Sequence, residues 1–267
     1  MTSEYKGVAV VTGASSGIGA LYAERLARRG HDLILVARSR DRLQALAQRI
    51  SDETGRAVEV VVADLGDAAD LARVEAQLSR DASLTMLVNN AGFGTFAPLL
   101  ESDVGRMEAM IRLNVIALMR LTYAVAPGMA ARGRGAIINI SSIVSIAPEL
   151  LNGVYGGSKA FVHAFSTSLN HELAPKGIRV QAVLPGATAT DFWATGGLPV
   201  EHLPEGITMQ AADMVDAALS GFDLGEVITI PALPDIEEWN AFEAARRSMS
   251  ARLSRSLPAS RYGIVTN

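Results

Sequence analysis

The chain has 267 residues, 49% of them hydrophobic and 19% charged, with 24 glycines, a net charge of −4 and no cysteine. That length buries a full core, as one large domain or two small ones, and a mildly acidic chain lacks the basic field that would hold a nucleic-acid partner. Without cysteine there are no disulfides, thiolate nucleophiles or cysteine-ligated zinc sites.

Met1–Lys6 contains Glu4 and runs into a valine-rich stretch too short for a signal h-region. The longest uncharged stretch, Gly7–Ala23, is dense in Gly, Ser and Thr, so no membrane span is expected and a cytoplasmic location is. Short β-branched runs follow at Val8–Val11, Leu33–Val36, Val58–Val62, Leu84–Val88, Ala136–Ile140, Ile178–Leu184 and Val227–Ile230, alternating with apolar residues at helical spacing. The alternation predicts an α/β fold: a doubly wound, Rossmann-type seven-stranded parallel sheet with helices on both faces. One domain is expected over 1–231, with 232–267 adding a helix at Ile236–Met249 and a polar tail. Right-handed crossovers bring the loops after the strands to one edge of the sheet, where such folds bind ligands.

After the first run comes Thr12-Gly13-Ala14-Ser15-Ser16-Gly17-Ile18-Gly19, opening a helix. Glycines admit a pyrophosphate close to the backbone and the helix start supplies free N–H groups, so Gly13, Ser15, Ser16, Gly17, Ile18 and Gly19 are expected to bind a dinucleotide. The same stretch fits Gly-x-Ser-x-Gly, the nucleophile elbow of an α/β-hydrolase, with Asp191 and His202 following in the right chain order. Against that reading, an elbow normally has several strands before it, and this one has a single strand. There is no Gly-x4-Gly-Lys-Ser/Thr for a nucleoside triphosphatase.

The second run ends Arg38-Ser39-Arg40, nineteen residues after Gly19, with Arg42 just beyond. An arginine there suits a 2′-phosphate where an acid would suit a free ribose, so NADP(H) is the expected cofactor through Arg38, Ser39 and Arg42; the plainer alternative is a solvated loop charge. Asp64 and Leu65, after the third run, are placed for the adenine, although Asp64 equally fits a helix cap. After the fourth, Asn89-Asn90-Ala91-Gly92 offers amides that tie strand ends and a small pair past which a cofactor fits; Asn90, Ala91 and Gly92 are taken as cofactor-facing.

Tyr155-x3-Lys159 lies on a predicted helix, with Ser142 thirteen residues earlier at the end of the fifth run. The spacing puts phenol and ammonium on one helix face, and a nearby cation is expected to lower the phenol pKa toward neutrality, fitting Tyr155 for proton transfer. Lys159 is one of only three lysines and sits among Ala, Phe, Val and Ser. His31, His163, His171 and His202 have no metal-ligand spacing, and no metal site is expected.

Taken together, TGASSGIG, NNAG, Ser142, Tyr155-x3-Lys159 and Pro185-Gly186-x3-Thr190 resemble the short-chain dehydrogenase/reductase family, in its single-domain NADP-preferring branch, over about residues 6–231. The resemblance implies a carbonyl reductase or alcohol dehydrogenase with Asn114, Ser142, Tyr155 and Lys159 as a catalytic tetrad. In it Asn114 holds a water, Ser142 the substrate oxygen, Tyr155 the proton and Lys159 the nicotinamide ribose. It also implies that Pro185, Gly186, Thr188 and Thr190 border the nicotinamide. Phe93, Ile143, Val144, Phe192 and Trp193 are expected to line the substrate pocket, under a lid or an ordinary loop spanning Phe192–Gly206. Apolar residues on more than one face of the helices Asp103–Ala131 and Val154–Ala174 predict a homodimer or homotetramer, as does the resemblance. The alternatives are a non-catalytic NADPH-binding regulator, which would not need Ser, Tyr and Lys at these spacings, and the hydrolase.

Overall fold

A computed structural model describes residues 6–196 and 206–264. In chain order the first unit contains β1 (Val8–Thr12), α1 (Gly17–Arg28), β2 (Asp32–Ala37), α2 (Arg40–Thr54), β3 (Val58–Val62), α3 (Ala68–Leu78), β4 (Leu84–Asn89), α4 (Val104–Ile111) and α5 (Leu118–Ala131). There follow β5 (Gly135–Ile140), α6 (Gly153–Leu173), β6 (Ile178–Val183), β7 (Thr188–Ala189), α7 (Phe192–Gly196), β8 (Met209–Gln210), α8 (Ala211–Leu224) and β9 (Ile228–Thr229).

Seven strands form one parallel sheet in the order β3-β2-β1-β4-β5-β6-β9. The chain reverses direction of travel between β1 and β4, which makes a crevice at their C-terminal ends. Because every central strand is covered on both faces, the runs are largely apolar rather than alternating. On one face Tyr22, Leu26, Leu43, Ile50, Met214, Leu219 and Phe222, from α1, α2 and α8, pack on the sheet. On the other lie Leu71, Val74, Leu121, Val125, Met129, Leu169 and Leu173, from α3, α5 and α6. Asp67, Asp103 and Asn152 cap α3, α4 and α6 by accepting from first-turn N–H groups.

Two features depart from the expected pattern. β7 and β8 pair as a separate two-residue ladder, too short to leave any periodicity in the sequence. The helix expected over Asp103–Ala131 is broken into α4, a π turn over Arg112–Ala117, and α5. One widened turn displaces an apolar stripe by a single residue, too little for the spacing to reveal. By length and composition alone Val104–Ala131 is apolar enough to cross a membrane, yet here its Leu121, Val125 and Met129 are packed on the sheet.

The chain divides into two compact units, Met1–Pro231 and Ala232–Asn267. The second contains α9 (Ile236–Ser250), capped by Asp235, with Trp239 tilted against Phe242 at 5.2 Å and Arg246 paired to Glu243 at 2.8 Å.

Candidate active site

The glycine turn after β1 needs its glycines for two distinct reasons. Gly13 and Gly17 adopt φ of 65° and 55°, in the left-handed region. Gly19 has ordinary dihedrals, but a Cβ there would lie 2.4 Å from the Gly13 carbonyl oxygen. α1 therefore starts hard against the turn. Its N-cap, Ser16, makes no side-chain cap and its first turn has no acid, so its leading N–H groups suit an anion such as a pyrophosphate. Gly19→Ala is expected to destabilise the protein by about 1–3 kcal/mol and to weaken dinucleotide binding; a melt and a binding titration check both, and an unchanged Tm would show that the turn yields.

Thr12 fixes the other wall of this crevice. Its Oγ1 accepts from the N–H groups of Asn90 and Ala91, both at 3.0 Å, while the Asn90 side chain donates to the Thr12 carbonyl at 2.9 Å. One strand inward, Asn89 donates to Asn139 (2.9 Å) and Asn139 to Ser166 (2.9 Å), so amides do cross-link β4, β5 and α6. A Cβ on Gly17 would meet Thr190 Cγ2 at 3.4 Å, which brings the segment after β6 over the glycine turn.

Arg38, Arg40 and Arg42 are exposed at the end of β2 and the start of α2, and among the described residues none of them forms an ion pair. Ser39 is the α2 N-cap residue without a side-chain cap bond. Asp64 turns out not to cap a helix: it accepts from Gly66 N–H at 2.9 Å, and Asp67 caps α3 instead. Leu65 is buried in the core beside it.

Ser142, Tyr155 and Lys159 converge between the end of β5 and the first turns of α6, all nearly buried. Ser142 donates from Oγ to the Pro185 carbonyl at 3.4 Å and lies beside the Tyr155 phenol. Lys159 Nζ donates to the Ile140 carbonyl at 2.9 Å and lies 5.8 Å from the Tyr155 ring centroid. The expected lowering of the phenol by Lys159 is overturned. Burial pushes Tyr155 above its ordinary value, opposed by the Ser142 hydroxyl beside it, and burial pushes Lys159 down to about 8. Desolvation disfavours both charged forms at once.

Asn114 lies in the π turn, with its amide clamped to the Phe93 backbone: Oδ1 accepts from Phe93 N–H at 3.1 Å and Nδ2 donates to Phe93 C=O at 2.9 Å. A Cβ on Gly92 would sit 2.9 Å from Asn114 Oδ1 and 3.8 Å from Lys159 Nζ, so only glycine lets these groups approach. Phe93, Val144 and Phe192 gather around Tyr155 with Met107, Met110, Leu151 and Val154. Phe192 tilts against Tyr155 at 5.7 Å and Trp193 stacks on Phe96 at 5.1 Å. Ile143 approaches Gly186, and Trp193 donates to the Thr188 carbonyl at 2.8 Å. Residues 197–205, including His202 and most of the expected lid, lie outside the described residues. Sequence reasoning missed Thr12, Phe96 and Asn152, whose partners are far along the chain; only the position of Thr12 beside the glycine motif could have marked it.

This is the arrangement of a nucleotide-dependent oxidoreductase, and comparison with known proteins agrees. Residues 7–197 match the short chain dehydrogenase family model, and the chain belongs to the short-chain dehydrogenase/reductase family. A short-chain dehydrogenase from Sphingobium yanoikuyae solved with NADPH is 49% identical, covering 96% of this chain and 100% of its own, with a TM-score of 0.93. The bulky-bulky ketone specific alcohol dehydrogenase from Comamonas testosteroni is 44% identical over 97% of this chain and 99% of its own, at a TM-score of 0.89. A very-long-chain 3-oxoacyl-CoA reductase of Anas platyrhynchos is 40% identical over 187 residues; the match is 68% of this chain and spans 60% of that protein's length. The family is one of oxidoreductases.

Proposed function

We propose that the protein is an NADPH-preferring carbonyl reductase, or in reverse an alcohol dehydrogenase, moving hydride between the nicotinamide and a ketone, aldehyde or secondary alcohol. The observation that carries this is the convergence of buried Ser142, Tyr155 and Lys159, with Lys159 Nζ 5.8 Å from the Tyr155 ring centroid and apolar side chains packed around the phenol. Residues 1–231 serve as the NADP-binding catalytic domain, to which 232–267 is an addition.

When bound, NADPH supplies the hydride. Gly13, Ser15, Ser16, Gly17, Ile18 and Gly19 hold the pyrophosphate, Asn90, Ala91 and Gly92 form the opposite wall, and Pro185, Gly186, Thr188 and Thr190 border the nicotinamide. Ser142 Oγ donates to the substrate oxygen and Tyr155 delivers the proton to it. A phenol held above its ordinary value is fully protonated at neutral pH, the form a reduction requires. Lys159, as an ammonium, offsets the phenolate left behind. Asn114 holds the water that reconnects Lys159 to solvent.

The pocket wall of Phe93, Met107, Met110, Val144 and Phe192 favours a largely apolar substrate. The ketone preference of the Comamonas relative, a bulky-bulky ketone specific enzyme, is consistent with that. NADPH consumption across a panel of ketones, aldehydes and quinones tests the reading; no turnover on any of them would overturn it.

Arg38 supports the cofactor preference: an exposed guanidinium with no ion pair among the described residues can grip a 2′-phosphate through paired, charge-assisted hydrogen bonds. NADPH is expected to exceed NADH by at least about tenfold in kcat/KM, about 1.4 kcal/mol, and Arg38→Asp to reverse the order. Equal efficiency with both cofactors in the unmutated protein would leave Arg38 a surface charge.

A cytoplasmic dimer or tetramer is part of the same proposal. Val104, Ile116 and Tyr123 are exposed between the start of α4 and the middle of α5, and Tyr123 stacks on Phe165 of α6, which stacks in turn on Phe161. An aromatic band shared by two helices is poorly suited to water. Sedimentation at micromolar concentration is expected to give a dimer or larger; a monomer refutes it.

A further inference from the structure

The backbone that follows β4, residues 93–97, packs against the proposed proton donor and, on the proposed reading, walls the substrate's place. A Cβ built on Gly94 would lie 3.2 Å from Tyr155 Cδ2 and 2.6 Å from the Phe192 ring, so wall and tyrosine are in direct contact. Phe93 belongs to the cluster around Tyr155, and Phe96 stacks on Trp193. A wall with no regular secondary structure has no ladder of its own to hold it.

Two asparagines supply what the ladder does not. Asn114 grips the wall at Phe93 by both amide atoms. At the far end Asn152 Nδ2 donates to the Ala97 carbonyl at 2.6 Å. The other half of the Asn152 amide is engaged as well: Oδ1 accepts from the N–H groups of Val154 (2.9 Å) and Tyr155 (3.3 Å), capping α6 at the tyrosine itself. Asn152 is buried, and one planar amide thus links the turn that carries Tyr155 to the wall that faces it.

We propose that Asn152 is a positioning residue that clamps the wall 93–97 to the first turn of α6, so that it holds the wall against Tyr155 and hence sets the fit of bulky apolar substrates beside it. The proposal rests on the reductase reading for its kinetic consequence but not for its structural one. A helix cap alone needs only an acceptor, which Ser or Asp provides equally well. The tie to Ala97 needs a donor that reaches across, which only the amide offers.

Asn152→Ser and Asn152→Asp keep the cap and lose the tie, while Asn152→Ala loses both. The chain has two tryptophans, and a Trp239→Phe background leaves Trp193, stacked on the wall through Phe96, as the sole reporter. In that background Asn152→Ser is expected to keep Tm and NADPH affinity near the parent values, while Asn152→Asp, which buries a carboxylate against the Ala97 carbonyl, keeps NADPH affinity but loses some Tm. Acrylamide quenching of Trp193 should rise about twofold, and KM for a bulky aryl ketone about tenfold with kcat within threefold, a loss of fit rather than of chemistry. Asn152→Ala should add a fall in Tm. Parental quenching and KM in both cap-retaining variants would overturn the clamp, and so would equal losses of Tm, kcat and NADPH affinity in all three. Failure of the parent to reduce any ketone would instead sink the reductase reading, and the quenching comparison would still decide the clamp.

Discussion

Tyr155→Phe is expected to lower kcat for ketone reduction about a thousandfold, roughly 4 kcal/mol in the barrier, while NADPH affinity changes less than twofold. The substitution removes a single oxygen from a side chain that is 6% exposed, leaving the ring against Phe192 and the helix cap at its backbone untouched. Ser142 is unchanged, so once its hydroxyl turns from the Pro185 carbonyl the substrate oxygen still finds one donor but no proton. Single-turnover and steady-state rates with a titration of NADPH fluorescence check the separation. A variant retaining more than about a tenth of the parental kcat would remove Tyr155 from the proton-donor role.

The second large effect has two signs. Lys159→Met is expected to reduce kcat/KM at least about a hundredfold, because the charge that offsets the phenolate is gone, and yet to make the protein more stable. Burial lowers the ammonium from 10.5 to about 8 in the fold. At pH 7 it is charged in both folded and unfolded chains, and holding that charge inside costs about 1.4 kcal/mol for each tenfold loss of proton affinity, or roughly 3 kcal/mol. Against this stands the lost hydrogen bond to the Ile140 carbonyl, worth about 1 kcal/mol, so a net gain of about 2 kcal/mol is expected in urea unfolding. The sign follows from linkage: above pH 8 the folded chain releases the Lys159 proton while the unfolded chain still holds it. The unfolded state then binds more protons, and the parent gains stability as pH rises from about 8 toward 10. The Met variant lacks that rise. A parent whose stability is flat over this interval, relative to the variant, would show that Lys159 titrates as an exposed lysine does.

The seven principal strands were legible because each is rich in β-branched and other apolar residues, interrupted in β3 by Glu59 and in β6 by Arg179 and Gln181, and the glycine turn because Gly13, Gly17 and Gly19 have steric reasons visible as spacing. Ser142, Tyr155 and Lys159 were legible as a pattern, but their ionisation was not. Proximity of cation and phenol predicts one shift, and the depth at which the two lie, a property of the finished core, decides the other. Asn152 was invisible for a related reason: its partner Ala97 lies 55 positions away, and nothing local distinguishes a capping amide from one that also holds a second segment. The β7–β8 ladder and the π turn are too short to impose a period.

The π turn at Arg112–Ala117 also makes this stretch sensitive to chain length in a way that composition does not reveal. A π turn takes one residue more than an α turn over nearly the same rise, so one residue here is surplus to the helix itself. Deleting it would let α4 run into α5 as continuous α-helix, with Leu121, Val125 and Met129 still facing the sheet. The Asn114 amide would not keep its place, because it sits on the widened turn and reaches the Phe93 backbone from there. Adding a residue finds no such outlet: each residue of an α-helix advances the face by about 100°, and α5 would turn its apolar side off the sheet. Shortening should therefore spare the core and spoil the pocket, while lengthening should spoil both.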